Sequence, residues 1–137
     1  MDFNAKEYLS IDESMLSKEL AEHPLKFEKL SHALADCNLQ LEEKTQHIEI
    51  IEAEKALMLR TKAVEDNVKL TEKTIEQSLA ADLQLIQLKK ERQGLKHNKD
   101  VVTGMVRAME HRRDMLKSVS FNARQEGLLE TKKDIIY

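Results

Sequence analysis

Apolar residues recur at intervals of three and four along the first half of the chain, with charged residues between them. From Pro24 to about Ala63 they form one stripe, which comprises Phe27, Leu30, Leu34, Cys37, Leu41, Ile48, Ile51 and Met58. This spacing places the apolar side chains on one face of an α-helix. The pattern therefore predicts a long helix over residues 24–63, with Lys44 and Lys55 interrupting its apolar face.

A short helix over residues 12–22 is predicted to precede it. Ser10 and Glu13 have the spacing of a capping box, in which a Ser at the N-cap is followed three residues later by Glu. The dipeptide His23-Pro24 predicts a break, because a residue before Pro avoids helical backbone angles. Residues 1–10 and 125–137 are candidate flexible ends of a single domain, 1–137.

The second half of the chain predicts another long helix. Glu65-Asp66-Asn67 is the expected turn, and Thr71 or Thr74 is the expected N-cap of a helix over residues 72–118. Leu88 and four further apolar residues recur there every seven residues. The last four, Leu95, Val102, Met109 and Leu116, are predicted to carry oligomerisation, because two antiparallel helices leave much apolar surface uncovered. The expected fold is all-α, with a long antiparallel, coiled-coil-like hairpin.

Composition supports this fold class. Aromatic residues make up only 4% of the chain, and three Gly and one Pro supply few turns, which disfavours an all-β or α/β domain. The apolar runs are too short for a membrane span, and the start of the chain lacks the pattern of a secretory signal. With its single Cys37, the chain is expected in the cytoplasm, without a membrane partner.

Motifs that carry chemistry are missing from the sequence. It contains no glycine-rich phosphate loop, no GxSxG, no HExxH and no CxxC. Three Glu–His pairs have i,i+4 spacing, at Glu19/His23, Glu28/His32 and Glu43/His47. They are interpreted as surface pairs rather than metal ligands. We therefore expect no enzyme, no metal site and no cofactor.

Charge is distributed unevenly along the chain. Residues 1–54 carry a net charge of −8, residues 55–88 are neutral and residues 89–118 carry +5. Basic side chains that could contact phosphates lie at Lys55, Arg60, Lys62, Lys89, Lys90, Arg92 and Lys96. Because the aromatic residues lie outside 55–118, such contacts would involve the nucleic-acid backbone rather than stacked bases. The alternative interpretation is a solvated helix face with intrahelical ion pairs.

Three short motifs stand in order along the chain. The front one is IDESML at residues 11–16, followed by HPL at 23–25. The middle one is IEAEKALMLRTKA at 51–63. The rear one comprises KTI at 73–75 and LAAD at 79–82, followed by Arg113 and LK at 116–117. In this order, and in length, the chain resembles the UvsY-like recombination mediators of tailed phages from Ile11 to about Arg124.

The resemblance implies a non-enzymatic function in homologous recombination and repair. Such proteins form ring-like homo-oligomers, hexamers or heptamers, and bind single-stranded DNA without sequence preference. They help to load a RecA-like recombinase onto DNA coated with single-strand DNA-binding protein. If the chain is phage-encoded, its location would be the host cytoplasm. Arg60 and Lys62 correspond to the DNA-contacting residues of the family.

The resemblance has one departure. The family continues after the basic pair with two tyrosines and a Gly-Lys turn, whereas residues 64–69 here read VEDNVK. The aromatic side chains are absent from this segment, and two acidic residues are present. A second function class therefore stays open, a helical scaffold, chaperone or adaptor protein without DNA affinity.

Overall fold

A computed structural model describes the backbone of residues 4–136 and the side chains of residues 4–127. All secondary structure in these residues is helical. The α-helices are α1, Ala5–Leu9; α2, Leu16–Glu65; α3, Glu72–Ala80; and α4, Leu83–Ile136, with a short 3-10 helix, Glu13–Met15, before α2. The prediction of an all-α fold is confirmed. Residues 1–3 and 137, parts of the two candidate flexible ends, lie outside the described residues.

The helix α2 runs through Pro24 without a break, so the prediction of separate helices over 12–22 and 24–63 is wrong. Proline inside a helix cannot donate a hydrogen bond and costs about 3 kcal/mol or more. His23, immediately before Pro24, is buried, and Phe27, one turn later, packs against a buried cluster. Packing on both sides of Pro24 thus holds a helical conformation that the local sequence disfavours.

The N-terminal caps also differ from the prediction. Asp12, rather than Ser10, caps the first turn, because its carboxylate accepts hydrogen bonds from the backbone N–H and the hydroxyl of Ser14, at 3.0 and 2.6 Å. Asn4 caps α1 by accepting from the backbone N–H groups of Lys6 and Glu7. The segment of residues 4–15 thus contains two short capped helices.

The turn after α2 forms where the sequence predicts it. Asn67 adopts a left-handed conformation with φ 54°. The N–H of Val68 bonds the carbonyl of Ala63 at 2.9 Å, and the N–H of Asn67 bonds that of Val64 at 3.2 Å. These two bonds form a Schellman motif, which ends the helix by satisfying its last carbonyls. Thr71, one of the two predicted N-caps, then caps α3 by accepting from the N–H of Thr74.

The predicted helix over 72–118 is divided. The helix α3 ends at Ala80, and α4 begins at Leu83 after a break at Ala81-Asp82. Asp82 caps α4, since its Oδ1 accepts from the N–H of Leu85 at 3.0 Å. The same helix continues beyond residue 118 to Ile136. The break arises because an Asp side chain bonds the backbone in a non-helical arrangement and initiates a new helix.

The chain divides into two compact units. The terminal unit comprises residues up to Leu34 and residues from Val101 on, and the central unit comprises Ala35–Asp100. In the terminal unit, Leu30, Met105 and Met109 form a buried cluster, against which Phe27 and Val106 pack. Tyr8 and Leu9, from α1, pack against the same cluster. The buried apolar side chains of the central unit are Cys37, Ile48, Ile75 and Leu85.

The predicted oligomerisation residues pack inside the chain. Val102, Met109 and Leu116 are at most 1% exposed in the terminal unit, and Leu95 is half-buried in the central unit. Because the fold of a single chain already covers Val102, Met109 and Leu116, these three side chains do not form an exposed surface for a second copy. The seven-residue periodicity of α4 correctly indicates a buried face, but that face is buried by the same chain and not by a second copy.

Candidate nucleic-acid interface

All seven predicted DNA-binding residues lie in the central unit. Within this unit, Lys44 of α2 pairs with Glu91 of α4 at 2.8 Å, and Glu52 pairs with Lys89 at 3.0 Å. These two ion pairs connect α2 to α4.

Lys55 has a structural role. Its Nζ lies 2.6 Å from Oδ2 of Asp82, and both side chains are about three-quarters buried. The hydrogen bond from Lys55 holds the pKa of the Asp82 carboxyl below its ordinary value, and the backbone N–H of Leu85 contributes in the same direction. Lys55 thus joins α2 to the residue that starts α4, which leaves it poorly placed for a phosphate.

Lys89 is engaged in a similar way, through its 3.0 Å contact with Glu52. Arg92 is half-buried. These two side chains, together with Lys55, face protein groups at least in part. The basic positions on the sequence therefore do not all contribute to one open basic surface.

Arg60 makes an exposed ion pair. Its Nη2 lies 3.0 and 3.2 Å from the two carboxylate oxygens of Glu72, the first residue of α3. The side chains of Arg60 and Glu72 are 51% and 76% exposed. An ion pair so open to solvent contributes only about 0–1 kcal/mol, so a phosphate group can compete with Glu72 for Arg60.

Lys62, Lys90 and Lys96 are exposed. Among the described residues, none of the ion pairs involves these three lysines. With Arg60, they form what we call the accessible basic set. The structure thus separates the seven sequence-predicted cations into four that are exposed and three that are half-buried.

Comparison of the chain with protein-family models, with curated proteins and with solved structures yields no match. Functional inference therefore depends on the residues of this chain.

An apolar groove lies beside Lys62. It has a volume of about 1050 Å³ and contains Leu57, Met58 and Leu79 among its lining residues. Its charged lining is mixed, since Glu54, Glu65 and Asp82 accompany Lys55 and Lys62. Leu57 and Met58 are 63% and 70% exposed. Sequence reasoning placed Met58 on the buried stripe, and the structure corrects this assignment.

The described residues contain no group of three or more His, Cys, Asp or Glu placed to hold a metal ion. The helices among them also include none with the length and apolar character needed to cross a membrane. Cys37 is buried, as the apolar stripe predicted, and burial raises the pKa of its thiol. A thiol in that protonated state is a poor nucleophile.

Proposed function

We propose that this protein is a non-enzymatic mediator of homologous recombination. It binds single-stranded DNA without sequence preference and promotes the loading of a RecA-like recombinase onto DNA coated with single-strand DNA-binding protein. The observation that carries the proposal is the exposure of Arg60 and Lys62 near the end of α2. These are the two residues that the family resemblance assigns to DNA contact.

The physical basis of binding is phosphate neutralisation. Lys and Arg that contact phosphates release condensed counterions, so the affinity falls steeply as the salt concentration rises. The accessible basic set supplies few cations in each copy, and the central unit contains no aromatic residue for base stacking. A single copy is therefore expected to bind weakly.

Assembly would compensate for weak binding by one copy. We propose that α2 and α4 form a helical hairpin and that hairpins associate into a ring of six or seven copies, which holds several basic sets on one strand. Linked weak sites gain affinity through their effective concentration. Leu57, Met58 and Leu83, which are 63%, 70% and 82% exposed in the central unit, replace the buried heptad residues as candidates for contacts between copies.

Fluorescence anisotropy with a labelled single-stranded oligonucleotide tests DNA binding. The wild-type protein is titrated at several salt concentrations, and the double variant Arg60→Ala/Lys62→Ala is compared with Lys18→Ala/Lys29→Ala. The control variant loses two exposed lysines from α2 in the terminal unit. We expect the first variant to bind about tenfold more weakly with a flatter salt dependence, and the control to bind like the wild type.

Binding to the single strand that exceeds binding to duplex would justify the next assay. That assay measures recombinase filament formation on oligonucleotide coated with single-strand DNA-binding protein, with and without this protein. Equal loss of affinity in both double variants would contradict the assignment of Arg60 and Lys62.

The second candidate function is a helical scaffold or adaptor without DNA affinity. Two observations favour it: Lys55, Arg60 and Lys89 already have acidic partners, and apolar side chains are exposed beside them. Its signature would be an oligomeric mass by light scattering together with no anisotropy change even at low salt. That combination would overturn the mediator proposal.

A further inference from the structure

A buried cluster in the terminal unit is independent of the proposed DNA contacts. Arg112 of α4 is only 3% exposed, and its guanidinium group has three partners. Nη1 lies 2.8 Å from Nδ1 of His23, and Nη2 donates to the carbonyl of Ser10 at 3.3 Å. Nη2 also contacts the carboxylate of Glu19. Arg112 thereby joins α4 to α2 and to the segment of residues 4–15.

The hydrogen bond from Arg112 defines the protonation state and the tautomer of His23. A guanidinium group is charged and only donates hydrogen bonds, so Nδ1 of His23 must accept. An accepting Nδ1 requires a neutral imidazole with its proton on Nε2. Burial lowers the pKa of His23 from 6.5, and the positive charges of Arg112, Arg113 and Lys26 lower it further.

The charged groups around His23 come from each packed element. Lys26 and Glu19 share α2 with it, and Arg112 and Arg113 belong to α4. The N-terminal segment presents the carbonyl of Ser10 to Arg112. The Glu19 carboxylate neutralises Arg112 while His23 is neutral, and a proton on His23 would add an uncompensated positive charge.

We propose that His23 is a pH-sensitive pin, meaning that its hydrogen bond to Arg112 holds residues 4–15 against the rest of the terminal unit only while the imidazole is neutral. A proton from solvent binds the Nδ1 lone pair, which breaks the hydrogen bond to Arg112 and places two cations in contact. The guanidinium group then moves and loses the Ser10 carbonyl. Tyr8 and Leu9, which pack on Leu30, Met105 and Met109, are released with it.

The test has two independent readouts on the full chain. Nitrogen-15 NMR of the histidine side chains gives the tautomer and the pKa of His23. Hydrogen exchange of the backbone amides of residues 4–15, corrected for intrinsic rates, is measured at about pH 7.5 and about pH 5. Between pH 6.5 and the folded-state pKa of His23, protection should fall about tenfold for each unit by which the pH is lowered.

Two variants give the comparison. His23→Asn retains an oxygen acceptor near the position of Nδ1 but cannot be protonated, so protection of residues 4–15 should persist at both pH values. His32→Asn removes an exposed histidine of α2 and should behave like the wild type, since its ring contacts only the exposed Glu28 among the described ion pairs.

The proposal would be overturned by an unshifted or raised pKa for His23, by a protonated Nδ1 at neutral pH, or by equal loss of protection in wild type and His23→Asn. The NMR and hydrogen-exchange measurements on the wild-type protein test the proposal even if His23→Asn fails to fold. A low pKa with pH-independent protection would also reject the pin.

Discussion

The Oδ2 atom of Asp82 lies 2.6 Å from the Nζ atom of Lys55, while Oδ1 of the same carboxylate accepts the backbone N–H of Leu85. One side chain thus both starts α4 and ties it to α2. Lys55 interrupts the apolar stripe of α2, and Asp82 stands at the break between α3 and α4. The charged Lys55 on the apolar stripe needs an acidic partner, and Asp82 supplies it. Asp82 is placed to do so because it lies at the break between α3 and α4.

Replacement of Asp82 should separate its two contributions. Asp82→Asn retains an amide oxygen for the N-cap but loses the ion pair, whereas Asp82→Ala loses both. Thermal unfolding followed by circular dichroism at neutral pH should therefore rank their melting temperatures as wild type, then Asn, then Ala, with each step a few degrees. Asp100→Asn, at an exposed position of the same unit, should leave the melting temperature unchanged.

Acid should remove the contribution of the Asp82 charge. The folded-state pKa of Asp82 lies below its ordinary value of 3.8. The unfolded chain therefore takes up the proton first as the pH falls. The stabilisation is complete above about pH 3.8 and is lost as the pH falls through the folded-state pKa. The difference between wild type and Asp82→Asn should shrink over that range, and a constant difference would show that the charge is not responsible.

Asn67 should tolerate Gly and reject a β-branched residue. Its φ of 54° is the only positive value among non-glycine residues that the structure describes. A Cβ-branched side chain in this region costs about 1–2 kcal/mol, while Gly adopts it freely. Urea denaturation should show Asn67→Val destabilised by that amount and Asn67→Gly close to wild type. Asp66→Val, one residue earlier, is the control, and an equal loss there would point to β-branching rather than φ.

Neighbouring valines on α4 should respond differently to a charge. Val102 is 1% exposed and Val101 is 49% exposed. An unpaired carboxylate at a buried position costs about 3–5 kcal/mol, so Val102→Asp should unfold far below the denaturant midpoint of the wild type. Val101→Asp should lose less than about 1 kcal/mol. A folded Val102→Asp of reduced mass would instead restore the sequence-based prediction that this residue contacts a second copy.

Local patterns predicted the helical elements well. The 3.6-residue periodicity of apolar side chains and the cap residues Asn67 and Thr71 depend on neighbours within one or two turns, so they are legible from the sequence. The break predicted at Pro24 is absent because packing around His23 and Phe27 overrides a local preference. Periodicity indicates that Val102 lies on a buried face, but it does not reveal what buries that face.

The candidate site was predictable only as a set of basic positions. Whether a given basic side chain is already paired with an acid depends on which residues the packing of two helices places beside it. Lys55 pairs with Asp82, which is 27 residues away in the sequence, and Arg60 pairs with Glu72, which is 12 residues away. The acidic first part and the basic later part of the chain are also used partly for intramolecular pairing, as the ion pairs Lys89–Glu52 and Arg112–Glu19 show.

The exposed pair of Arg60 and Glu72 offers a gain-of-function test of the proposed interface. If Arg60 contacts phosphate, Glu72 competes with DNA, and Glu72→Gln should tighten binding of a labelled single strand by about two- to fivefold, as expected for an exposed pair. Glu76→Gln on the same helix removes one charge without touching Arg60, because no ion pair among the described residues involves Glu76. Glu76→Gln therefore measures the general effect of removing one negative charge.

In an Arg60→Ala background, Glu72→Gln and Glu76→Gln should bind the single strand equally. Equal tightening by Glu72→Gln and Glu76→Gln in the wild-type background would mean that Arg60 does not contact the strand.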